Sequence, residues 1–188
     1  MKQITGVLRK ASEGSVDGGD LVGSCIAIAQ VAEEAMGGTS GALYSCVFTF
    51  RQNERHRRIR SRSSIFFSAL AQGLQTQDAT AGTTIITTEA WSTALTFTLH
   101  KLYSYTRARP PSRTLVDPLA AFVETLAGSE GKDLKAAVQA AAAAAERTKD
   151  VEAKAGRSAY VEGERLREKR VPDPGAWGVK TILESWVG

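Results

Sequence analysis

The sequence predicts an all-α antiparallel helical bundle, and three observations lead there. Apolar residues recur three and four positions apart in one segment after another, the period of a helix that buries one face. Residues that start and stop helices stand between these segments, notably Asp133, Gly156 and the pair Asp173-Pro174. Alternation of the strand kind is missing at any useful length; the best rival, TTIITT from Thr83 to Thr88, is short and isolated. Short helices with one apolar face each bury it by packing on one another.

Taken in chain order, residues 1–13 (MKQITGVLRKASE) predict a short helix closed by the loop GSVDGGD. Residues 21–36 predict a second, with Leu21, Ile28, Val31, Ala32 and Ala35 on one face. It ends in Met36-Gly37-Gly38-Thr39-Ser40-Gly41, a turn whose glycines let backbone come close to another group. The apolar pattern resumes over residues 65–74 (IFFSALAQGL), followed by a polar Thr/Gly loop. Thr88 is placed to cap a helix from Glu89 to Tyr105 that turns Trp91, Leu95, Leu99 and Leu102 inward. Beyond Pro110-Pro111, a helix is expected to start near Arg113-Thr114 and to bury Leu115, Leu119, Phe122, Val123 and Leu126, with Pro118 tolerated in its first turns. After a turn at 128–132, Asp133 is expected to cap a helix running to about Ala155. Its alanine run 140–145 favours helix and lets neighbours approach closely. Gly156 closes it, and Asp173-Pro174-Gly175 opens the last helix, through Trp177, Val179, Ile182, Leu183 and Trp186.

Composition narrows the class. With 188 residues and 43% hydrophobic content the chain suffices for one domain with a core. No run approaches the ~18 apolar residues of a membrane span, and the start of the chain carries no apolar signal core. A cytoplasmic, reduced setting is expected, because Cys25 and Cys46 are too few for a disulfide scaffold or a four-cysteine zinc site. His56 and His100 alone make a histidine-rich metal site improbable. The net charge of +4 is concentrated. Residues 46–64 hold Arg51, Arg55, Arg57, Arg58, Arg60 and Arg62 against the single acid Glu54, so the rest of the chain is near neutral.

Three stretches carry a more specific signal: MGGTSGALYS at 36–45, SRTLVDPLAAFVETL at 112–126, and ERTKDVEAKAGRSAY at 146–160 followed by VPDPGAWG at 171–178. In this order they resemble the nucleotide-binding L domain (DhaL-like) of dihydroxyacetone (glycerone) kinases, most closely the single-chain type. The resemblance covers nearly all of the chain except 46–64. It implies an eight-helix antiparallel barrel that binds ATP with Mg²⁺ at one rim and docks on a separate substrate-binding kinase domain.

The resemblance also assigns roles. Gly38, Thr39, Ser40 and Gly41 are implied to meet the nucleotide through backbone amides and hydroxyls, the donors phosphate needs. Thr114 and Leu115 fall where the family lines the base pocket; Thr106 stands where a family glycine offers a backbone contact. Arg157, with a permanently charged fork suited to phosphate, is the best single side-chain candidate. Asp173, Pro174 and Gly175 match the family's nucleotide-contacting DPG, and the same residues read equally well as a helix cap with proline at the first position. Asp117 reads as a capping residue.

Two departures matter. The family's D-x-x-x-x-D-G-D-x-G magnesium cluster has no counterpart, and Asp17 and Asp20 in VDGGD do not replace it. The chain is therefore expected to begin past the metal motif, and to be poorly active alone. Deleting 46–64 would join Ser45 to Ile65 in an uninterrupted turn and helix, so that segment reads as a translated intron or a recent insertion.

The leading expectation is the ATP-binding domain of a dihydroxyacetone kinase, which passes the γ-phosphate to a dihydroxyacetone or glyceraldehyde-type hydroxyl in the intact enzyme. The alternative is a non-catalytic helical regulatory or interaction module derived from the same domain. A homodimer stays open, a membrane partner is not expected, and nucleic acid is disfavoured because the arginine run lacks an interleaved stacking platform.

Overall fold

The computed structural model describes residues 20, 22–25, 65–81, 86–153 and 170–187. These are helical with connecting loops, and no β-strand element occurs among them. The all-α expectation therefore holds. The chain divides into two compact units, residues 1–86 and 87–188. Among the described residues no helix is long and apolar enough to cross a membrane. The expected helix at 1–13, most of that at 21–36, the glycine turn, the basic segment and Gly156 lie outside the described residues.

In the first unit, residues 22–25 are helical, and the Asp20 carboxylate accepts the Gly23 amide at 2.7 Å. Cys25 is buried; burial, and then the Asp20 charge, push its thiol up to about 11, so it stays neutral and unreactive. Helix α1 spans Ile65–Ala81, longer than the stretch 65–74 that the apolar pattern suggested. The residues after Leu74 are polar but include no glycine or proline before Gly82, and the Thr76 hydroxyl satisfies itself inside the helix on the Gln72 carbonyl (2.9 Å). Polarity there does not mark a loop.

The second unit is built from α2 (Thr88–Tyr105), α3 (Val116–Gly128), α4 (Leu134–Arg147) and α5 (Pro174–Glu184). The cap of α2 is Thr87, one residue earlier than expected; its hydroxyl accepts the Ala90 amide at 3.2 Å. Helix α3 packs on α2, α4 and α5 and is the centre of the unit. Its Val116, Leu119, Phe122, Val123 and Leu126 are buried, against Leu95, Leu99 and Leu102 of α2, Val138 of α4, and Val179 and Leu183 of α5 among the core residues. Burying Phe122 alone is worth about 2–3 kcal/mol. The alanine helix does what its composition foretold: Ala137, Ala141 and Ala145 have no exposed surface, so α4 lies close to its neighbours.

The turn between α3 and α4 depends on one glycine. Gly131 has φ +78, and a Cβ there would collide with the Thr88 carbonyl at the start of α2. Its amide closes the end of α3 on the Leu126 carbonyl at 2.8 Å.

Helix α4 ends much earlier than Ala155. A 3-10 turn, Thr148–Asp150, follows it, and Val151 is extended. The reason is tertiary: the buried Thr148 hydroxyl donates to the Ala145 carbonyl (2.6 Å) and accepts the Asp173 amide (2.9 Å), which draws the chain across to α5. The last helix starts as expected. Trp177 and Ile182 within it and Trp186 just beyond its end are 41%, 50% and 55% exposed, although Trp186 still meets Phe122 edge to face with centroids 5.9 Å apart.

Candidate functional site

Six of the sequence-predicted site residues are described, all in the second unit: Thr106, Thr114, Leu115, Asp173, Pro174 and Gly175. Gly38, Thr39, Ser40, Gly41 and Arg157 lie outside the described residues.

The loop joining α2 to α3 begins at Thr106, the C-cap of α2, whose amide reaches the Leu102 carbonyl at 3.1 Å. The Thr106 hydroxyl accepts the Ala108 amide (3.1 Å), and its carbonyl takes a hydrogen bond from Arg109 (2.7 Å). The same guanidinium donates to the carbonyls of Ala108 and Tyr103 and lies 3.9 Å above the Tyr103 ring. Burial, and secondarily Glu124, raise the Tyr103 pKa above its ordinary value, so the phenol under this cation is neutral. Arg109 and Thr106 together thus close the end of α2.

Further along, Asp117 organises the turn. One carboxylate oxygen accepts the Ser112 amide at 2.9 Å and the other the Thr114 amide at 2.7 Å. The hydroxyls of Ser112 and Thr114 also face this carboxylate (both 3.3 Å) and lie 3.0 Å from each other. Asp117 is buried, and charge-assisted bonds to amides are what make a buried carboxylate tolerable. The capping role read from sequence is correct in kind but reversed in direction: Asp117 sits inside the first turn and reaches back to the loop. This also explains why α3 begins at Val116. Arg113, between the two held amides, has φ +57 and cannot be helical. The Thr114 hydroxyl, which also accepts the Val116 amide at 3.2 Å, is thereby engaged in the turn itself.

The other half of the site is the start of α5. The Asp173 carboxylate accepts the Ala176 amide at 2.9 Å, Pro174 occupies the first helical position, and the Asp173 carbonyl accepts the Trp177 amide at 2.9 Å. The two halves meet. A Cβ built on Gly175 would lie 3.3 Å from the Leu115 Cβ and 3.0 Å from an Asp173 carboxylate oxygen. Leu115 and Asp173-Pro174-Gly175, far apart in sequence, therefore form one edge, and the absence of a side chain at Gly175 lets them come so close. Thr106 lies at the far end of the same loop.

Three supporting residues gave no clear sequence signal. Arg113 crosses to the carbonyls of Val171 (2.7 Å) and Val151 (3.3 Å). Thr148 holds the Asp173 amide. Lys180 of α5 joins Glu146 of α4 at 3.0 Å and stacks 4.0 Å over the Trp177 ring. Each acts through a partner remote in sequence, which a local pattern does not encode.

A family model described as the DAK2 domain matches residues 63–188. The chain belongs to the DAK2 domain family. Within that family, it is 40% identical over 181 residues to a dihydroxyacetone kinase of Komagataella pastoris, covering 94% of this chain and 26% of that protein. Similarity to dihydroxyacetone kinase 2 of Saccharomyces cerevisiae is 42% over 164 residues, covering 85% and 24%. Triokinase/FMN cyclase of Homo sapiens is 35% identical over 158 residues, covering 81% and 22%. This DAK2 domain thus spans about a quarter of the length of the curated relatives it matches. No solved structure gives a significant match.

Proposed function

We propose that this DAK2 domain is the ATP-binding part of a kinase that phosphorylates dihydroxyacetone or a glyceraldehyde-type small ketose. The names of its relatives support the substrate class. The observation that carries the reading is the closeness of Leu115 to Asp173-Pro174-Gly175, so close that a Cβ added at Gly175 would lie 3.3 Å from the Leu115 Cβ, because it brings two motif segments distant in sequence to one edge. Leu115 offers an apolar face to a flat base, and Gly175, lacking a side chain, lets the start of α5 lie close against Leu115. The Asp173 carboxylate is an acceptor and repels phosphate, so it suits a ribose hydroxyl or a base amine. Phosphate is left to Thr39, Ser40 and Arg157, whose donors carry the opposite preference.

Magnesium neutralises charge on the transferred phosphate when it is bound. No three His, Cys, Asp or Glu side chains are grouped to hold it among the described residues, and Asp20 is engaged with the Gly23 amide. In the complete reaction, a ketose hydroxyl oxygen attacks the γ-phosphorus and releases its proton to water, the bond from the γ-phosphorus to the β-phosphate oxygen breaks, and ADP leaves. The relatives extend far beyond the matched quarter, which supports a separate substrate-binding domain as the partner. The basic segment 46–64 is proposed as an insertion.

The test is calorimetric titration of the chain with ATP, alongside Gly175→Val. Binding by the parent chain and a loss of about tenfold or more in the variant, whose side chain would press Leu115 away from the start of α5, is the expected result. Equal affinity in the two proteins would remove the base from this edge.

A further inference from the structure

Arg113 combines three features that each cost free energy. Its backbone is left-handed at φ +57, unfavourable for a side chain with a Cβ. Its guanidinium is taken out of water, with the residue 3% exposed, and its described acceptors are two neutral carbonyls and no carboxylate. Its buried Nε has no hydrogen-bond partner among the described residues. An apolar side chain would fill such a position at less cost, so stability alone does not account for the arginine.

Its geometry does. The neighbours on both sides, Ser112 and Thr114, have their amides fixed by Asp117, which aims the Arg113 side chain inward. There it holds Val171 at 2.7 Å, two residues before Asp173, and Val151 at 3.3 Å, just past the turn of Thr148. Leu115 follows two residues after Arg113 in the chain. A single planar fork therefore ties the Leu115 side of the edge to the Asp173 side.

We propose that Arg113 is a positioning residue that sets the spacing of the Leu115–Gly175 edge without touching the ligand. The ligand itself rests on the ATP reading above; the clamp does not. The discriminating variant is Arg113→Gly, since glycine accepts the left-handed backbone and removes only the fork. Arg113→Lys keeps the charge and one reachable carbonyl but loses the two-pronged geometry.

Amide hydrogen exchange and ATP titration are measured on the full chain. In Arg113→Gly, exchange is expected to rise in peptides covering 114–117 and 171–177 while α2 and the end of α3 keep their protection. ATP affinity should fall about tenfold or more, as small misplacements of binding groups do, with partial recovery in Arg113→Lys. Unchanged exchange at 171–177 in Arg113→Gly overturns the proposal. A uniform rise across α2 to α5 overturns it too, by making Arg113 a general stability residue. Should the parent chain bind no ATP, the nucleotide reading falls, and the exchange pattern still decides the clamp.

Discussion

The second unit contains two helix starts that face each other and are built in opposite ways. At α5, a residue ahead of the helix caps it: Asp173 accepts the Ala176 amide at 2.9 Å, and Pro174 has the φ that the first position needs. At α3, the position ahead of the helix is Leu115, which has no capping side chain. Order there comes from inside the helix, where Asp117 reaches back to the Ser112 and Thr114 amides, and from Arg113 reaching across to Val151 and Val171. The local device leaves its start exposed to little strain. The other holds a left-handed arginine in place and transmits its position to a neighbouring segment.

The comparison can be broken most forcefully at the braced turn. Asp117→Ala strands the buried Ser112 amide and the half-buried Thr114 amide and should cost about 3 kcal/mol or more, whereas Asp173→Ala removes the cap of α5, about 1 kcal/mol. Urea unfolding midpoints of the two variants check the order; equal losses would mean the two starts are not built differently.

Thr148→Val probes the link between α4 and α5. It keeps the shape but removes the acceptor for the buried Asp173 amide, and about 1–2 kcal/mol should be lost. Increased amide exchange at Asp173 in the variant, with α2 unaffected, would place the loss where the bond is.

The smallest effect is expected at Glu146. Its pKa is lowered, chiefly by the hydrogen bond from Lys180 and next by that from Lys149. A carboxylate depressed in the folded state contributes stability above its unfolded pKa and loses it as pH falls through the folded one. The difference in thermal midpoint between the parent chain and Glu146→Gln should therefore be constant from neutral pH down to the ordinary glutamate range, and shrink below it. A difference that grows on acidification would contradict the pairing.

Much of this was legible in the residues. The start of α5 was readable because a cap and a proline act on their own neighbours, and the inward faces of α2 and α3 because a 3.6-residue period is a local property. Helix ends were harder. Polar residues after Leu74 continue α1 to Ala81, since polarity without glycine or proline does not stop a helix. The alanine-rich α4 stops at Arg147 although its composition favours continuation, because Thr148 is held by Asp173. For the site, sequence motifs selected Leu115 and Gly175, but nothing local could say that they touch.

By itself, then, the sequence determined the all-α class, the amphipathic faces and the cap at Asp173, all set by interactions within a few residues. Only the tertiary structure decided where α4 ends, why Arg113 is buried, and that Leu115 meets Gly175. Those outcomes depend on hydrogen bonds between residues 25 and 58 positions apart and on the still more distant pair Leu115 and Gly175, whose partners become neighbours only once the helices have packed.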